Sequence, residues 1–396
     1  MNSSIIQRKR KRRRYRGYTQ RTWSIKGQAY TEIESRGGFG TSVNSDGTVI
    51  VYASVNSSNI PFLNIGRWNN ISSSWNYTII NLSESLTGSY NEILTSISDD
   101  GNVVVVGVEG SVGGWEPYAT TGNVYAYEWN GSAWLQKGDA IFVFTTQLSI
   151  DISGDGTALA IGEPHFNGNI SAEEARVRVF KWAGSGFWYV PSNVITYNNN
   201  TPAGQIFGWK VSLNGSGDTI AVGTRSVDRG VSVYKLTGSV WNQIRSNTDG
   251  GSLDGSDAIK LDSSGNFIAI AGYVDQNTTT GIVRVYRWTG STWIQVGNDI
   301  YQRGKYNIGE PDVSLSMDGA ALRIIVGTRS TDFEQQSGDE DIKVYDWSGT
   351  GWELSATVTH GATNSMNGFY PKLSRDGQTM VFGAPNTKTS ATYTTE

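Results

Sequence analysis

Apolar and polar positions along this chain repeat with a period far longer than any single strand or helix. An apolar run, a polar turn ending in glycine and a second apolar run recur seven times. The turn glycines are Gly47, Gly101, Gly156, Gly217, Gly265, Gly319 and Gly377, spaced by 54, 55, 61, 48, 54 and 58 residues. Seven glycines in one recurring context define an internal repeat. Four of the turns read Ser45-Asp46-Gly47, Asp99-Asp100-Gly101, Met317-Asp318-Gly319 and Arg375-Asp376-Gly377. Glycine accepts positive φ and Asp tolerates it, so these are tight-hairpin signals. The runs that follow, such as Val103–Val106, Ala158–Ile161, Phe267–Ile270 and Ile324–Val326, are nearly all apolar. That pattern predicts strands covered on both faces, as in stacked sheets. Small residues there, Ala160, Ala221 and Ala269, allow close approach near a central axis.

A loop of variable length follows, and then a third run that alternates. Val177 and Val179 point one way, Phe180 and Trp182 the other. Val124, Tyr127 and Trp129 repeat this, as do Val283, Val285, Tyr286 and Trp288, and Ile342, Val344, Tyr345 and Trp347. After a glycine turn (Asn130-Gly131, Ala183-Gly184, Thr237-Gly238, Thr289-Gly290, Ser348-Gly349) a fourth strand opens at Trp134, Trp188, Trp241, Trp293 and Trp352. The aromatic residues flanking each turn are expected to pack across the hairpin.

Four strands in each unit of about 55 residues predict an all-β, seven-bladed β-propeller with four-stranded blades. The last unit ends within its third strand at Tyr393–Glu396, without a Trp-bearing fourth. Thr22-Trp-Ser-Ile-Lys-Gly27 matches that missing strand, as comparison with Thr292-Trp-Ile-Gln-Val-Gly297 shows. The ring is therefore expected to be closed by an N-terminal strand pairing with the C-terminal blade, leaving no open edge. The expected blades span about 37–85, 90–141, 146–196, 205–247, 256–300, 309–357, and 367–396 with 22–32, preceded by an arm over 1–21.

Phe39-Gly40-Thr-Ser-Val43, Phe207-Gly208, Ile161-Gly-Glu-Pro164 and Phe382-Gly-Ala-Pro385 resemble the FG-GAP repeats of the integrin α-subunit type of propeller. The resemblance covers about residues 22–396 and implies the propeller fold. It also implies kinship with surface or structural proteins of microbes and large viruses. It departs from the family at the calcium loop. The turns here offer one or two acids, as at Asp99 and Asp100, or Asp151 and Asp155. A hard cation takes six or more oxygens, several from carboxylates, so these Asp residues are read as turn formers. No metal site and no cofactor is expected.

Charge changes the picture at one end. The chain has 32 basic and 36 acidic residues, a net charge of −4. Nine of the basic residues and none of the acidic ones lie in 1–21, leaving a body of −13. Arg8, Lys9, Arg10, Lys11, Arg12, Arg13, Arg14 and Arg16, interrupted by Tyr15, are too dense to join a packed core. They are a candidate polyanion-binding arm that would condense on nucleic acid through counterion release. A nuclear-import address, anionic lipid and an acidic protein are the other partners that fit. No apolar segment follows the basic run, so neither a secretory nor a twin-arginine signal is read. No run is long enough to span a bilayer. A virion, nuclear or cytoplasmic setting is favoured over secretion. Cysteine is absent, which excludes disulfides and thiolate metal sites. Many Asn-x-Ser/Thr sequons, among them Asn56, Asn130 and Asn277, fit an Asn/Ser-rich composition as well as glycosylation.

Candidate chemistry is sparse. His165 and His360 are the two histidines, and no spacing places either in a nucleophilic triad. Asp339-Glu-Asp341 reads as a solvated loop, and Ser171–Ala175 as a short capped helix or an acidic loop insertion. No glycine motif opens a helix to hold phosphate. The loops between second and third strands vary most, over about 107–122, 162–176, 271–281 and 327–341. A rigid ring with variable loops on one face is a recognition scaffold. Trp115, Tyr118, His165, Phe166, Tyr273 and Phe333 are the candidate contact residues. The expectation is a non-enzymatic scaffold that takes a protein or glycan on these loops and a polyanion on the arm. The alternatives are a secreted or surface lectin-like module, and a hydrolase with its site at the ring mouth.

Overall fold

The computed structural model describes residues 23–26, 30–31, 36–56, 60–82, 90–111, 120–145, 147–164, 175–184, 188–189, 194–196, 206–225, 230–245, 254–273, 280–303, 311–318, 321–328, 342–358, 369–384 and 389–395. Among these residues the secondary structure is all strand, and the strands form seven antiparallel sheets. Chain order gives β1 (Trp23–Ile25) and β2 (Tyr30–Thr31), and then the first sheet, β3 (Arg36–Val43), β4 (Val49–Val55), β5 (Pro61–Asn69) and β6 (Ser74–Asn81). The second holds β7 (Tyr90–Ile97), β8 (Val103–Ser111), β9 (Thr120–Trp129), β10 (Trp134–Gln136) and β11 (Ile141–Thr145). The third holds β12 (Ser149–Ile152), β13 (Ala158–Glu163), β14 (Arg176–Trp182), β15 (Trp188–Tyr189) and β16 (Ile195–Thr196). The fourth holds β17 (Ile206–Leu213), β18 (Thr219–Arg225), β19 (Gly230–Thr237) and β20 (Val240–Arg245). The fifth holds β21 (Asp254–Leu261), β22 (Phe267–Tyr273), β23 (Thr280–Trp288), β24 (Trp293–Gln295) and β25 (Ile300–Arg303). The sixth holds β26 (Pro311–Asp318), β27 (Ala321–Thr328), β28 (Ile342–Trp347) and β29 (Trp352–Val358). The seventh joins β30 (Phe369–Leu373), β31 (Thr379–Ala384) and β32 (Thr389–Thr395) to β1 and β2.

Period-two alternation explains how the sheets stack. In β4, Val49, Val51, Ala53 and Val55 face the second sheet, where they meet Val104, Val106 and Val108. Ile50 and Tyr52, on the other face of the same strand, meet Val381 of the seventh sheet. The same division recurs in β13. Ala158 and Ala160 join the cluster shared with the fourth sheet, and Leu159 and Ile161 the one shared with the second. Three further clusters join the fourth sheet to the fifth, the fifth to the sixth and the sixth to the seventh. Every sheet thus has a buried apolar contact on each side, and the succession returns to its start.

Backbone hydrogen bonds tie the turn ends together. Asp376 N donates to Ser45 O at 3.1 Å, Ser45 N to Asp99 O at 3.1 Å and Asp99 N to Gly154 O at 2.8 Å. Asp155 N then donates to Gly215 O at 2.9 Å, and Gly215 N to Ser263 O at 2.8 Å. These bonds step from sheet to sheet in the same order as the apolar clusters. At Gly47 the backbone sits at φ 68°, and an added Cβ would lie 2.1 Å from Thr379 Oγ1 of the seventh sheet. Here glycine serves both the turn and the close approach of neighbouring sheets.

The N-terminal strand closes the last sheet. Trp23, Ser24 and Ile25 pair with Thr395, Thr394 and Tyr393. Trp23 packs on the cluster between the sixth and seventh sheets. Just beyond it, the Lys26 carbonyl accepts a hydrogen bond from Trp75 Nε1 at 2.9 Å, which couples the closing segment to the first sheet.

The expected four-stranded pattern needs one correction. In the second, third and fifth sheets the outermost strand is broken in two. β10 pairs with one end of β9 (Trp134↔Trp129), and β11 with the other (Ile141↔Val124). β24 and β25 divide β23 in the same way, as do β15 and β16 on β14, and β1 and β2 share β32 likewise. In the second and fifth sheets the break contains a glycine at positive φ, Gly138 at 76° and Gly297 at 74°. Such a backbone interrupts a regular ladder.

Candidate functional site: the axial channel

The innermost strands carry one residue five positions before each turn glycine. These are Ser42, Ser96, Asp151, Ser212, Lys260, Ser314 and Lys372. They pair in register with Val51, Val105, Ala160, Ala221, Ala269, Ile325 and Val381, the same place in every sheet. Four of them meet. Asp151 is buried and accepts Ser96 Oγ at 2.7 Å and Ser212 Oγ at 3.2 Å, from the sheets on either side. Its Oδ2 also accepts Leu213 N at 2.9 Å and Lys260 Nζ at 3.1 Å, the latter from two sheets away. Side chains of four sheets converge only where the inner strands surround an axis. A cavity of about 100 Å³ lies here, lined in part by Ser96, Asp151 and Lys260. Asp151 is therefore not a turn residue. It belongs to β12, where its carboxylate is a buried, fully engaged hydrogen-bond acceptor.

The channel opens at the turn ends into a mouth of about 580 Å³, bordered by Asp99, Asp155, Asp218, Lys235 and Arg375. The turns that build this rim share a device. The residue three before the turn glycine accepts the N–H of the residue two after it: Asn44 from Val49, Ser98 from Val103, Ser153 from Ala158, Asn214 from Thr219, Asp262 from Phe267 and Ser374 from Thr379. The acid that precedes several of these glycines then locks the turn. Asp100 accepts Ser98 Oγ at 2.6 Å and Asn102 N at 2.9 Å, and Asp155 accepts Ser153 Oγ at 2.5 Å and Thr157 N at 3.0 Å. Burial pushes the Asp46, Asp100 and Asp218 carboxyls upward. Hydrogen bonds from their own turns and the nearby Lys26, Arg67 and Lys235 outweigh it, so all three lie below the usual carboxylate range. Asp99 is matched by Arg375 Nη1 at 2.9 Å. The rim carboxylates are thus held as structural anions. Among the described residues no group of three or more His, Asp or Glu is placed to hold a metal ion.

The aromatic pairs stand where the repeat places them. Ring centroids of Trp129 and Trp134 lie 5.7 Å apart, of Trp288 and Trp293 5.5 Å, and of Trp347 and Trp352 5.3 Å. Trp68 and Trp75 form a fourth pair at 5.1 Å that the motif did not single out. Their turn contains no glycine and instead places Ser73 at φ 49°. Cations from the preceding sheet lie over several of these rings. Lys26 is 5.0 Å from Trp68, Arg67 is 4.6 Å from Trp129, and Lys137 is 4.1 Å from Trp182.

The basic residues Arg8, Lys9, Arg10, Lys11, Arg12, Arg13, Arg14 and Arg16 lie outside the described residues, as do Trp115, Tyr118, His165, Phe166 and Phe333. Tyr273 is corrected from a loop position. It ends β22, paired with Asp254 and Gly281, because the apolar run from Phe267 continues through it. Glu163 is corrected likewise. It ends β13 fully buried, with Arg178 Nε at 2.6 Å and Arg176 Nε at 3.1 Å. The axial residues and the hydroxyl and amide turn locks went unrecognised in the sequence. Both stand at fixed offsets from the turn glycines, which is the signal that would have found them.

No family model matches the chain, and no curated protein matches it in sequence. Solved structures do. A chain in the crystal structure of the mitotic checkpoint complex aligns over 99% of both chains with a TM-score of 0.52 and 12% identity. The periplasmic gluconolactonase PpgL of Pseudomonas aeruginosa aligns over 82% of this chain and 85% of its own, with a TM-score of 0.51 and 13% identity. Raptor of Chaetomium thermophilum aligns over 95% of this chain and 29% of its own, with a TM-score of 0.52 and 8% identity. At such identities the likeness concerns the fold alone. The chain is an all-β repeat protein with the β-propeller fold.

Proposed function

We propose that the chain is a non-enzymatic interaction scaffold, a seven-bladed propeller of FG-GAP-like repeats. It takes a protein or glycan on the loops between second and third strands, and nucleic acid or another polyanion on the arm over 1–21. One observation carries the non-enzymatic part. The carboxylates at the axis and rim are engaged in architecture, Asp151 by four donors and Asp46, Asp100 and Asp218 by their own turns. General acid–base work needs a carboxyl near its working pKa with a free face toward substrate. Charge segregation supports the arm, with nine basic residues in 1–21 set against a body of −13. β1 is the outermost strand of the seventh sheet, at the opposite end of the strand order from β30.

Binding to duplex DNA by the full chain, and by a chain beginning at residue 22, tests the tether. The full chain should show a log–log salt slope of about −0.9 per phosphate neutralised. The shortened chain should melt as before and lose the binding. Retained binding by the shortened chain, or binding insensitive to salt, would refute the tether. Lactone hydrolysis by the purified chain above the uncatalysed rate would refute the non-enzymatic reading.

A further inference from the structure

Closure joins the sheets face to face, but the outermost strand of each sheet keeps one outer edge, a row of N–H and C=O groups with which another strand can pair. Among the described residues, six of the seven sheets blunt that edge. In the second, third, fifth and seventh the outer strand is broken into pieces of two to five residues. In the fourth and sixth an extra residue, Ile244 or Ser355, bulges the outer strand, which also carries Arg245 or Glu353. The first sheet uses none of these devices. Its β6, Ser74-Trp-Asn-Tyr-Thr-Ile-Ile-Asn81, is eight residues without charge, proline or glycine. It pairs with β5 in unbroken register from Ser74 to Asn81. Asn76, Thr78 and Asn81 are exposed, Ile79 is 58% exposed, and Ile71 in the preceding turn is 97% exposed.

One bond sets the phase of this ladder. Leu82 N donates to Pro61 O at 3.0 Å. Bonded and non-bonded pairs alternate along an antiparallel ladder, so Asn76, Thr78 and Ile80 bond to β5, and Trp75, Ile79 and Asn81 turn their N–H and C=O outward. We propose that β6 is a pairing edge for β6 of a second copy of this chain, antiparallel across a two-fold axis at Thr78. Self-pairing requires outward groups to meet outward groups, so the axis must pass through a residue. At Thr78 it engages the strand from Trp75 to Asn81. Trp75 then lies opposite Asn81 of the second copy, Tyr77 opposite Ile79, and Thr78 opposite itself. An aromatic residue facing a β-branched one, and Thr facing Thr, are favourable cross-strand pairs. The order of side chains along β6 thus suits its own copy. A charged strand paired with itself would bring like charges together, and β6 carries none. Such an isologous contact is complete with two chains. The inference uses neither the arm nor the variable loops and stands apart from the scaffold reading.

Sedimentation of the full chain at rising concentration tests this, in salt of about 0.3 M, which screens contacts between the basic arm and the acidic body and leaves main-chain pairing intact. The chain should pass from monomer to dimer and stop there. Thr78→Lys sets two ammonium groups against each other at the axis. It should weaken association by roughly tenfold or more and leave the melting temperature unchanged, because Thr78 is exposed. The chain has no cysteine, so single introduced cysteines report the register. Facing Cα atoms at position 78 would lie about 4.5 Å apart, within reach of a disulfide. Thr78→Cys should therefore give a disulfide-linked dimer on mild oxidation, and Asn242→Cys on the bulged β20 should not. A chain that stays monomeric at its highest soluble concentration would overturn the proposal. So would a dimer that Thr78→Lys leaves intact, equal cross-linking at positions 78 and 242, or growth beyond two chains.

Discussion

The turn carboxylates show how one residue type comes to be reused around the ring. Asp46 accepts Thr48 N at 3.0 Å and Thr48 Oγ1 at 2.6 Å, and Asp100 and Asp155 repeat the arrangement with their own neighbours. An ionised carboxylate is the better acceptor, and the depressed pKa of Asp46, Asp100 and Asp218 records that preference. The sign of the linkage follows. A carboxyl whose pKa is lower folded than unfolded contributes stability at pH values above its unfolded pKa of about 3.9. That contribution fades as pH falls through the folded value. Melting followed by circular dichroism should therefore change little between pH 7 and pH 5 and fall steeply below about pH 4. Replacing all three by Asn should lower the melting temperature at neutral pH and flatten the acid limb. An acid limb of unchanged steepness in the triple variant would show that the turns do not set it.

At the scale of elements, β1 is only three residues long, yet it completes the seventh sheet and packs on the cluster shared with the sixth. Trp23 packs on the cluster that joins the sixth and seventh sheets, beside Met380, Phe382 and Val344. The Arg323 guanidinium lies 5.8 Å from its ring centroid and is held by Asp346 at 2.6 Å. Trp23→Ala should cost about 2–4 kcal/mol, just below the range for a fully buried Trp because the ring is only half-buried. Equilibrium unfolding in urea checks this, and a loss under about 1 kcal/mol would mean that the strand is not anchored by its side chain. The strand was legible in the sequence because Thr22-Trp-Ser-Ile-Lys-Gly27 copies the fourth-strand motif. So were the buried second strands and the Trp pairs, whose side-chain periodicity is written directly in the residues. The splitting of the outer strands was not legible, because β11 and β25 follow irregular links in which polar residues give no periodic signal. Asp151 was misplaced for a different reason. Sequence proximity to the Gly156 turn suggested a turn acid, whereas its four donors come from residues 96, 212, 213 and 260, which only the assembled ring brings near.

For the whole molecule, the consequence of closure is cooperativity. An open array of seven sheets would bury six interfaces and leave two outer faces wet. Here the seventh interface, in which Ile50, Tyr52 and Trp75 meet Val381, removes both outer faces. In a linear repeat protein the ends fray, because each unit is held by its neighbours alone. A ring has no end unit, so opening any one interface exposes two apolar faces at once. The full chain should therefore unfold in one transition, with far-ultraviolet and near-ultraviolet circular dichroism changing together. A chain beginning at residue 32 lacks both β1 and β2 and leaves β32 as an unpaired edge, a template for aggregation. Its seventh sheet should open first, separating the two spectroscopic transitions, and amide exchange should quicken in β30–β32 before it does in the third and fourth sheets. Adding a peptide of residues 22–31 should bring the transitions back together, because the strand it supplies is paired through main-chain hydrogen bonds that need no covalent link. If the shortened chain unfolds in one transition at an unchanged temperature, closure through the N-terminal strand does not govern the stability of the ring.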